Sequence, residues 1–225
     1  MNIALILAGC GHLDGSEIRE TILTLLYLSE ANIHVQLYAP DSDQHHVMHH
    51  HTGESTTQTR NILTEAARLA RGKISPLNAL KVTDHDALII PGGFGVAKNL
   101  SDFAFRGASM TPDPLFASIV RDFYEARKPI GAICIAPAIV SGILHDHGIT
   151  VTIGDDASVA SIIRQHGNVH HESATHRAIV DSRHRIVSCS AYMRDDVAIH
   201  EVGQGIHELV DAIIMMVQES HIQAA

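Results

Sequence analysis

The residues best suited to chemistry lie where an apolar run meets a helix-forming stretch, at Gly131 Ala132 Ile133 Cys134 Ile135 Ala136 Pro137. A cysteine on such a strand-to-helix turn is exposed above the edge of a sheet, with the helix's unpaired amides aimed at its sulfur. Those surroundings favour thiolate over thiol and lower the pKa below roughly 8.5. Packing alone is the competing reading, since free cysteine is among the most buried residue types. A second apolar run ends in Pro91 Gly92 Gly93 Phe94 Gly95. Glycines there let the backbone approach a ligand, and the Gly93 amide, with that of Ile135, is placed to meet a developing oxyanion. A plain tight turn would use the same residues. Glu17 follows Asp14 Gly15 Ser16 just past a third apolar run. A carboxyl at that position can exchange a proton with the sulfur if the strand ends converge, or can simply favour the first helical turn.

Other reactive side chains are more weakly placed. Cys10 ends the first run and is a possible resolving partner for an oxidised Cys134, and His170 and His171 could approach from a later loop. Cys189 sits inside a short apolar run and reads as packing. His45, His46, His49, His50 and His51 contain pairs at i, i+4 spacing that can grip a transition metal. No Cys, Asp or Glu stands at a ligand offset to them, so the reading is a solvated insertion and no metal site.

The elements that must carry these residues follow from the patterning. Apolar runs over residues 2–8, 33–39, 86–91, 129–134, 149–153, 179–180 and 185–190 predict strands. Helical periodicity over 57–70, 115–126, 136–144, 157–166 and 197–218 predicts helices between them. A first helix begins after Ser16 as N-cap, with Ile18, Ile22, Leu25, Leu26 and Ser29 recurring at helical spacing. Strands alternating with helices through short links predict an α/β fold with a mainly parallel sheet covered on both faces. In such a sheet the strand ends share one crevice, which brings Glu17, Gly93 and Cys134 into reach of one another. Residues 103–111, with Gly107 among small neighbours, read as a lid or as a surface connection.

Length and composition narrow the setting. A chain of 225 residues, 45% hydrophobic and 18% charged, is expected to form a single domain over 1–225, with a His-rich insertion near 41–56. A net charge of -9 argues against nucleic acid as partner, there being no surplus of Lys and Arg to displace counterions. Three cysteines cannot close a disulfide framework, which suits the cytoplasm. The Leu7 Ala8 Gly9 Cys10 stretch is too short and uncharged to be a lipoprotein signal. No apolar run reaches the roughly 20 residues of a membrane span.

Taken together, Gly15 Ser16 Glu17, the block from Pro91 Gly92 Gly93 Phe94 Gly95 through Ala97 Lys98 Asn99 Leu100 Ser101, and Cys134 Ile135 Ala136 Pro137 resemble the ElbB subgroup of the ThiJ/PfpI superfamily. Thr52 Gly53 Glu54, Thr59 Arg60 Asn61 and Ala191 Tyr192 Met193 extend the resemblance over nearly the whole chain. It implies a flavodoxin-like, class I glutamine amidotransferase-like α/β/α sandwich, a homodimer, and no cofactor. It also implies Cys134 as nucleophile, Glu17 as its hydrogen-bonded partner, and the Gly93 and Ile135 amides as oxyanion donors. The implied activity is glutathione-independent conversion of small reactive aldehydes, glyoxal and methylglyoxal, to hydroxy acids. The alternatives are a redox-responsive protein and an accessory protein of isoprenoid metabolism. One departure matters. Ile135 stands where many relatives have His, and residues 151–156 contain no His, which argues against protease activity and for slow turnover.

Overall fold

Apolar runs that end in glycine or proline become the central strands. The computed structural model describes residues 1–223. In chain order its first half contains β1 (Asn2–Ile6), α1 (Ile18–Glu30), β2 (His34–Ala39), β3 (Met48–His49), β4 (Glu54–Ser55), α2 (Ile62–Leu69), β5 (Ser75–Pro76), β6 (Ala87–Ile90), α3 (Phe94–Lys98) and α4 (Phe103–Arg106). There follow α5 (Pro114–Glu125), β7 (Ile130–Ile133), α6 (Ala136–Ile143), β8 (Thr150–Val151), α7 (Ala157–Gln165), β9 (Val169–His170), β10 (Ala178–Asp181), β11 (Ile186–Cys189) and α8 (Ile199–Gln223).

Seven strands form one sheet in the order β10-β11-β7-β6-β1-β2-β5. All neighbours pair in parallel except β10 with β11 at one edge. The central strands β1, β6 and β7 are buried almost throughout, as a sheet covered on both faces requires. One face packs Phe116, Val120 and Phe123 of α5 and Ile139 and Val140 of α6 against Ile6, Leu88 and Ile130. The other packs Leu28 of α1, Ile62 and Ala66 of α2, and Val202, Ile206 and Leu209 of α8 against Leu5, Ile89 and Val187. The fold is the flavodoxin-like, class I glutamine amidotransferase-like sandwich. None of the described helices is long and apolar enough to cross a membrane.

Three readings from the sequence are corrected. β8 does not join the main sheet but pairs with β9 in a ribbon of its own. Ser16 does not cap α1. Its hydroxyl turns back to accept the Ala8 N–H at 2.8 Å, and the cap passes to Glu17, whose carboxylate accepts the Glu20 N–H at 2.6 Å. Finally, α2 starts at Ile62 rather than 57, because the Asn61 side chain caps it through the Thr64 N–H at 2.9 Å.

Candidate active site

The carboxyl ends of β1, β6 and β7 meet in one place. The Glu17 N–H donates to the Gly92 carbonyl at 2.9 Å, and the Gly95 N–H to that of Gly15, also at 2.9 Å. Gly93 takes φ 98°, and a side chain there would fall 2.5 Å from the Glu17 nitrogen, so only glycine lets the β1 and β6 loops touch. Gly92 is equally constrained. A Cβ on it would lie 2.4 Å from Cys134 Cβ, 2.7 Å from Glu20 Oε2 and 3.0 Å from Cys134 Sγ.

Cys134 occupies the turn between β7 and α6 with φ 61°, a left-handed conformation that costs a non-glycine residue about 1–2 kcal/mol. Its N–H is tied to the Cys189 carbonyl at 2.9 Å, which anchors the turn to the neighbouring strand. The side chain is 7% exposed. The Gly93 and Ile135 N–H groups lie toward its sulfur and favour its ionised form. The thiol is nevertheless pushed up rather than down, because burial outweighs both amides and the nearby Glu20 carboxylate adds repulsion. The expected thiolate-favouring environment is therefore incomplete without a proton donor.

That donor is Glu20, not Glu17. Glu20 is wholly buried one turn into α1, and its carboxyl faces the Cys134 thiol across Gly92, where a Cβ would lie 2.7 Å from Glu20 Oε2 and 3.0 Å from Cys134 Sγ. Its Oε2 accepts the Gly92 N–H at 2.9 Å, and its Oε1 the Tyr192 N–H at 3.2 Å. Burial, reinforced by the charge of Glu17, pushes its pKa up to about 8. Below that pH Glu20 holds a proton and its repulsion on the sulfur is absent, while the thiol, pushed higher than the acid, keeps its own proton. Glu17 is displaced from the partner role by its own geometry: as N-cap, its carboxylate is turned toward the backbone of its own helix. Glu20 was legible only as the acidic member of a polar stripe, with Thr21 and Thr24, on the face of α1 that is buried.

These groups suit a chain of known kin. A model of the DJ-1/PfpI family matches residues 10–191. The chain belongs to the DJ-1/PfpI family. A human protein, glutamine amidotransferase-like class 1 domain-containing protein 3, mitochondrial, is 39% identical over 222 residues, covering 94% of this chain and 82% of the relative. The zebrafish (Danio rerio) ES1 protein, mitochondrial, is 30% identical over 231 residues, covering 96% of this chain and 86% of the relative. A crystal structure of an isoprenoid biosynthesis protein with amidotransferase-like domain from Ehrlichia chaffeensis superposes with a TM-score of 0.91 at 43% identity, covering 96% of this chain and 99% of that one.

The remaining expected residues of this DJ-1/PfpI chain lie elsewhere. Cys10 is half-buried, its thiol pushed up by burial and then by Glu65, and its charged neighbours are Glu65, Arg68 and Asp14 rather than the Cys134–Glu20 pair. His170 sits on β9, where Nε2 faces the Ile153 N–H at 3.4 Å and burial draws its pKa down. Its charged neighbours are Arg164, Glu172, His171 and Asp156. The His-rich segment folds as the β3–β4 hairpin and docks on the loop before α1, the Met48 N–H donating to Asp14 Oδ2 at 2.7 Å with His50 Nε2 3.7 Å from Asp14. Among the described residues no three His, Cys, Asp or Glu side chains converge as metal ligands. Residues 103–111 form α4 and a short 3-10 turn, with Phe105 half-exposed against the rings of His45 and His46. A cleft of about 610 Å³ opens between Asp155, Arg194 and Glu201, and none of Cys134, Glu20, Gly92 or Gly93 lines it.

Proposed function

We propose that the chain is a glutathione-independent glyoxalase acting on small dicarbonyls, with Cys134 as nucleophile and Glu20 as proton carrier. What supports this reading is the buried Cys134–Glu20 pair packed on either side of Gly92, with Glu20 pushed up to about 8 by burial. Of the pair's one-proton states the reactive one is the thiolate beside neutral Glu20, a minor population because burial pushes the thiol higher than the acid. In the proposed cycle the thiolate adds to the aldehyde carbon of methylglyoxal, and Glu20 delivers its proton to the new oxyanion, held meanwhile by the Gly93 and Ile135 amides. The Glu20 carboxylate then removes the former aldehyde hydrogen to give an enediolate and returns that proton to the adjacent carbon, while the hydroxyl proton on the sulfur-bearing carbon passes to the neighbouring oxygen. The resulting thioester is hydrolysed by water to lactate and free thiol. The net reaction is methylglyoxal plus water to lactate, with no cofactor. Cys134 is only 7% exposed, which argues against a peptide backbone as substrate.

A redox-responsive role is the second reading, favoured by one feature. The donors around Cys134, two amides and a protonated Glu20, would also hold a cysteine sulfinate. An accessory role in isoprenoid metabolism rests on the name of the Ehrlichia relative alone. We place the protein in the cytoplasm on its three free cysteines, "mitochondrial" being said of the human and zebrafish proteins.

We further propose that it works as a homodimer through the outward face of α1. Ile18, Ile22 and Leu26, at i, i+4 and i+8, are 45%, 47% and 46% exposed there. A stripe of that kind is self-complementary in an antiparallel, two-fold arrangement.

The deciding experiment follows methylglyoxal consumption and lactate formation without glutathione. Turnover should vanish in Cys134→Ser, fall about 10²–10⁴-fold in Glu20→Gln, and persist in Glu17→Gln. No lactate from wild-type protein with its thiol reduced would overturn the enzyme reading and leave the redox one.

A further inference from the structure

Part of the wall around Glu20 belongs to none of the three strand ends that build the site. It is the turn after β11, where Ala191 takes φ 42° and the Met193 N–H closes on the Ser190 carbonyl at 2.9 Å. The turn's one polar contact with the reactive pair is the Tyr192 N–H, which is the sole hydrogen-bond donor to Glu20 Oε1 among the described residues. Glu20 Oε2 is served differently, by an amide at the end of the buried strand β6.

Ala191 is buried, Tyr192 and Met193 are half-buried and Arg194 is exposed, so the outer side of this turn is held by side chains at the surface. Two arginines hold it from opposite sides. Arg19 Nη1 donates to the Tyr192 hydroxyl at 3.2 Å, its guanidinium 5.6 Å from the ring centroid, which holds the turn to α1. Arg194 grips Asp155 with two hydrogen bonds, Nε to Oδ1 at 2.8 Å and Nη2 to Oδ2, which holds the turn to the loop after β8. Paired bonds of this kind fix orientation as well as distance.

We propose that Arg19 and Arg194 are positioning residues for the Cys134–Glu20 pair: by clamping the 191–194 turn they keep the Tyr192 N–H on Glu20 Oε1 and so set how tightly Glu20 holds its proton. The inference rests on the pair being the reactive centre, as argued above. An amide donating to a carboxylate favours its ionised form. A slack turn therefore leaves Glu20 protonated to higher pH. The titratable groups facing Glu20 are Glu17 from its own helix, Cys134 from the β7 turn, Cys189 from β11 and Tyr192 from the clamped turn. Neither clamp adds a side chain to that set within hydrogen-bond reach of Glu20.

The test is the rate of Cys134 alkylation by iodoacetamide, resolved by peptide mass, across pH 5–10. The wild-type profile should carry an inflection, absent in Glu20→Gln, where Glu20 loses its proton and the thiolate its donor. In Tyr192→Phe, which alters no charge, and in Arg194→Met, that inflection should move up by about half to one pH unit, the worth of one hydrogen bond. Arg194→Lys, which can still reach Asp155, should restore part of the shift. Tyr192→Phe removes only a half-exposed hydroxyl, so a folding defect in Arg194→Met leaves the test intact. A Glu20-dependent inflection that stays in place in Tyr192→Phe and in folded Arg194→Met would overturn this proposal alone. A wild-type profile with no Glu20-dependent inflection would overturn the pair reading and the proposal with it.

Discussion

Replacing Glu20 by Gln should change how stability depends on pH, and the sign is fixed by the site. Glu20 rises from an ordinary 4.5 to about 8 because it is buried and faces Glu17. The folded state therefore keeps a proton that the unfolded chain releases. The stabilisation is fully present below pH 4.5 and is lost as pH rises through about 8. That interval corresponds to at most about 5 kcal/mol of proton-binding free energy, at about 1.4 kcal/mol for each pH unit. Part of it is shared with Cys134, so a measured loss of about 2–5 kcal/mol is expected. The assay is urea unfolding of wild type and Glu20→Gln from pH 5 to 8.5, with the two curves subtracted so that the histidines cancel. Gln keeps the shape, cannot ionise and still accepts the Gly92 N–H. The wild type should lose stability relative to the variant across this range, most steeply around pH 6 and levelling off above about 8. Parallel curves would refute the argument, since a carboxyl that titrates at the same pH folded and unfolded cannot be the buried acid described here.

Three further outcomes follow from the same geometry. Gly92→Ala places a methyl 2.4 Å from Cys134 Cβ and 2.7 Å from Glu20 Oε2. It should cost about 1–3 kcal/mol in a denaturation curve and separate the pair, seen as loss of the Glu20-dependent inflection in Cys134 alkylation. Glu17→Gln removes a charge that helps raise Glu20, so the same inflection should move to lower pH; an upward move would contradict the assignment of Glu17. Ile22→Glu with Leu26→Glu should yield a monomer by sedimentation while leaving the circular dichroism unchanged, and a persistent dimer would place the interface elsewhere.

The strand ends were legible because their signals are local. An apolar run stopped by Gly92 and Gly93, or by Cys134 before Ala136 and Pro137, marks a buried strand and the turn that follows it. Those signals placed Cys134, Gly93 and Ile135 at adjoining strand ends. The acid was not legible, and α1 shows why. Helical periodicity in Ile18, Ile22 and Leu26 suggests a face turned to the core, yet all three point outward, while Glu20, Thr21 and Thr24 are buried. Burial of that polar stripe is tolerable because each member is satisfied close by. Thr21 Oγ1 donates to the Glu17 carbonyl at 2.7 Å and Thr24 Oγ1 to that of Glu20 at 2.8 Å, while Glu20 receives two amides from loops distant in sequence. A pattern read along one helix cannot register donors that arrive from residues 92 and 192. The same limit explains β8 and β9, whose pairing with each other rather than with the sheet depends on where β10 and β11 run.

The places where local rules fail converge on one point in space. Cys134 pays for a left-handed backbone that glycine would adopt freely, Glu20 is a carboxyl buried at the cost of its charge, and Ala191 is held at φ 42° in the turn that serves it. Each feature costs about 1–3 kcal/mol or more, a large share of the net stability of a domain. The other left-handed residues, such as Asn32, Arg71 and Arg127, fall just past the ends of α1, α2 and α5, where that conformation closes a helix. Cys134 and Ala191 instead follow strands, on either side of the same carboxyl. A core indifferent to chemistry would relax at these positions, with glycine at 134 and an apolar side chain at 20. Keeping a thiol, an acid and a strained turn together makes sense for a site that must hold one proton between sulfur and oxygen, and the strain that fixes Cys134 is what keeps its sulfur within reach of Glu20.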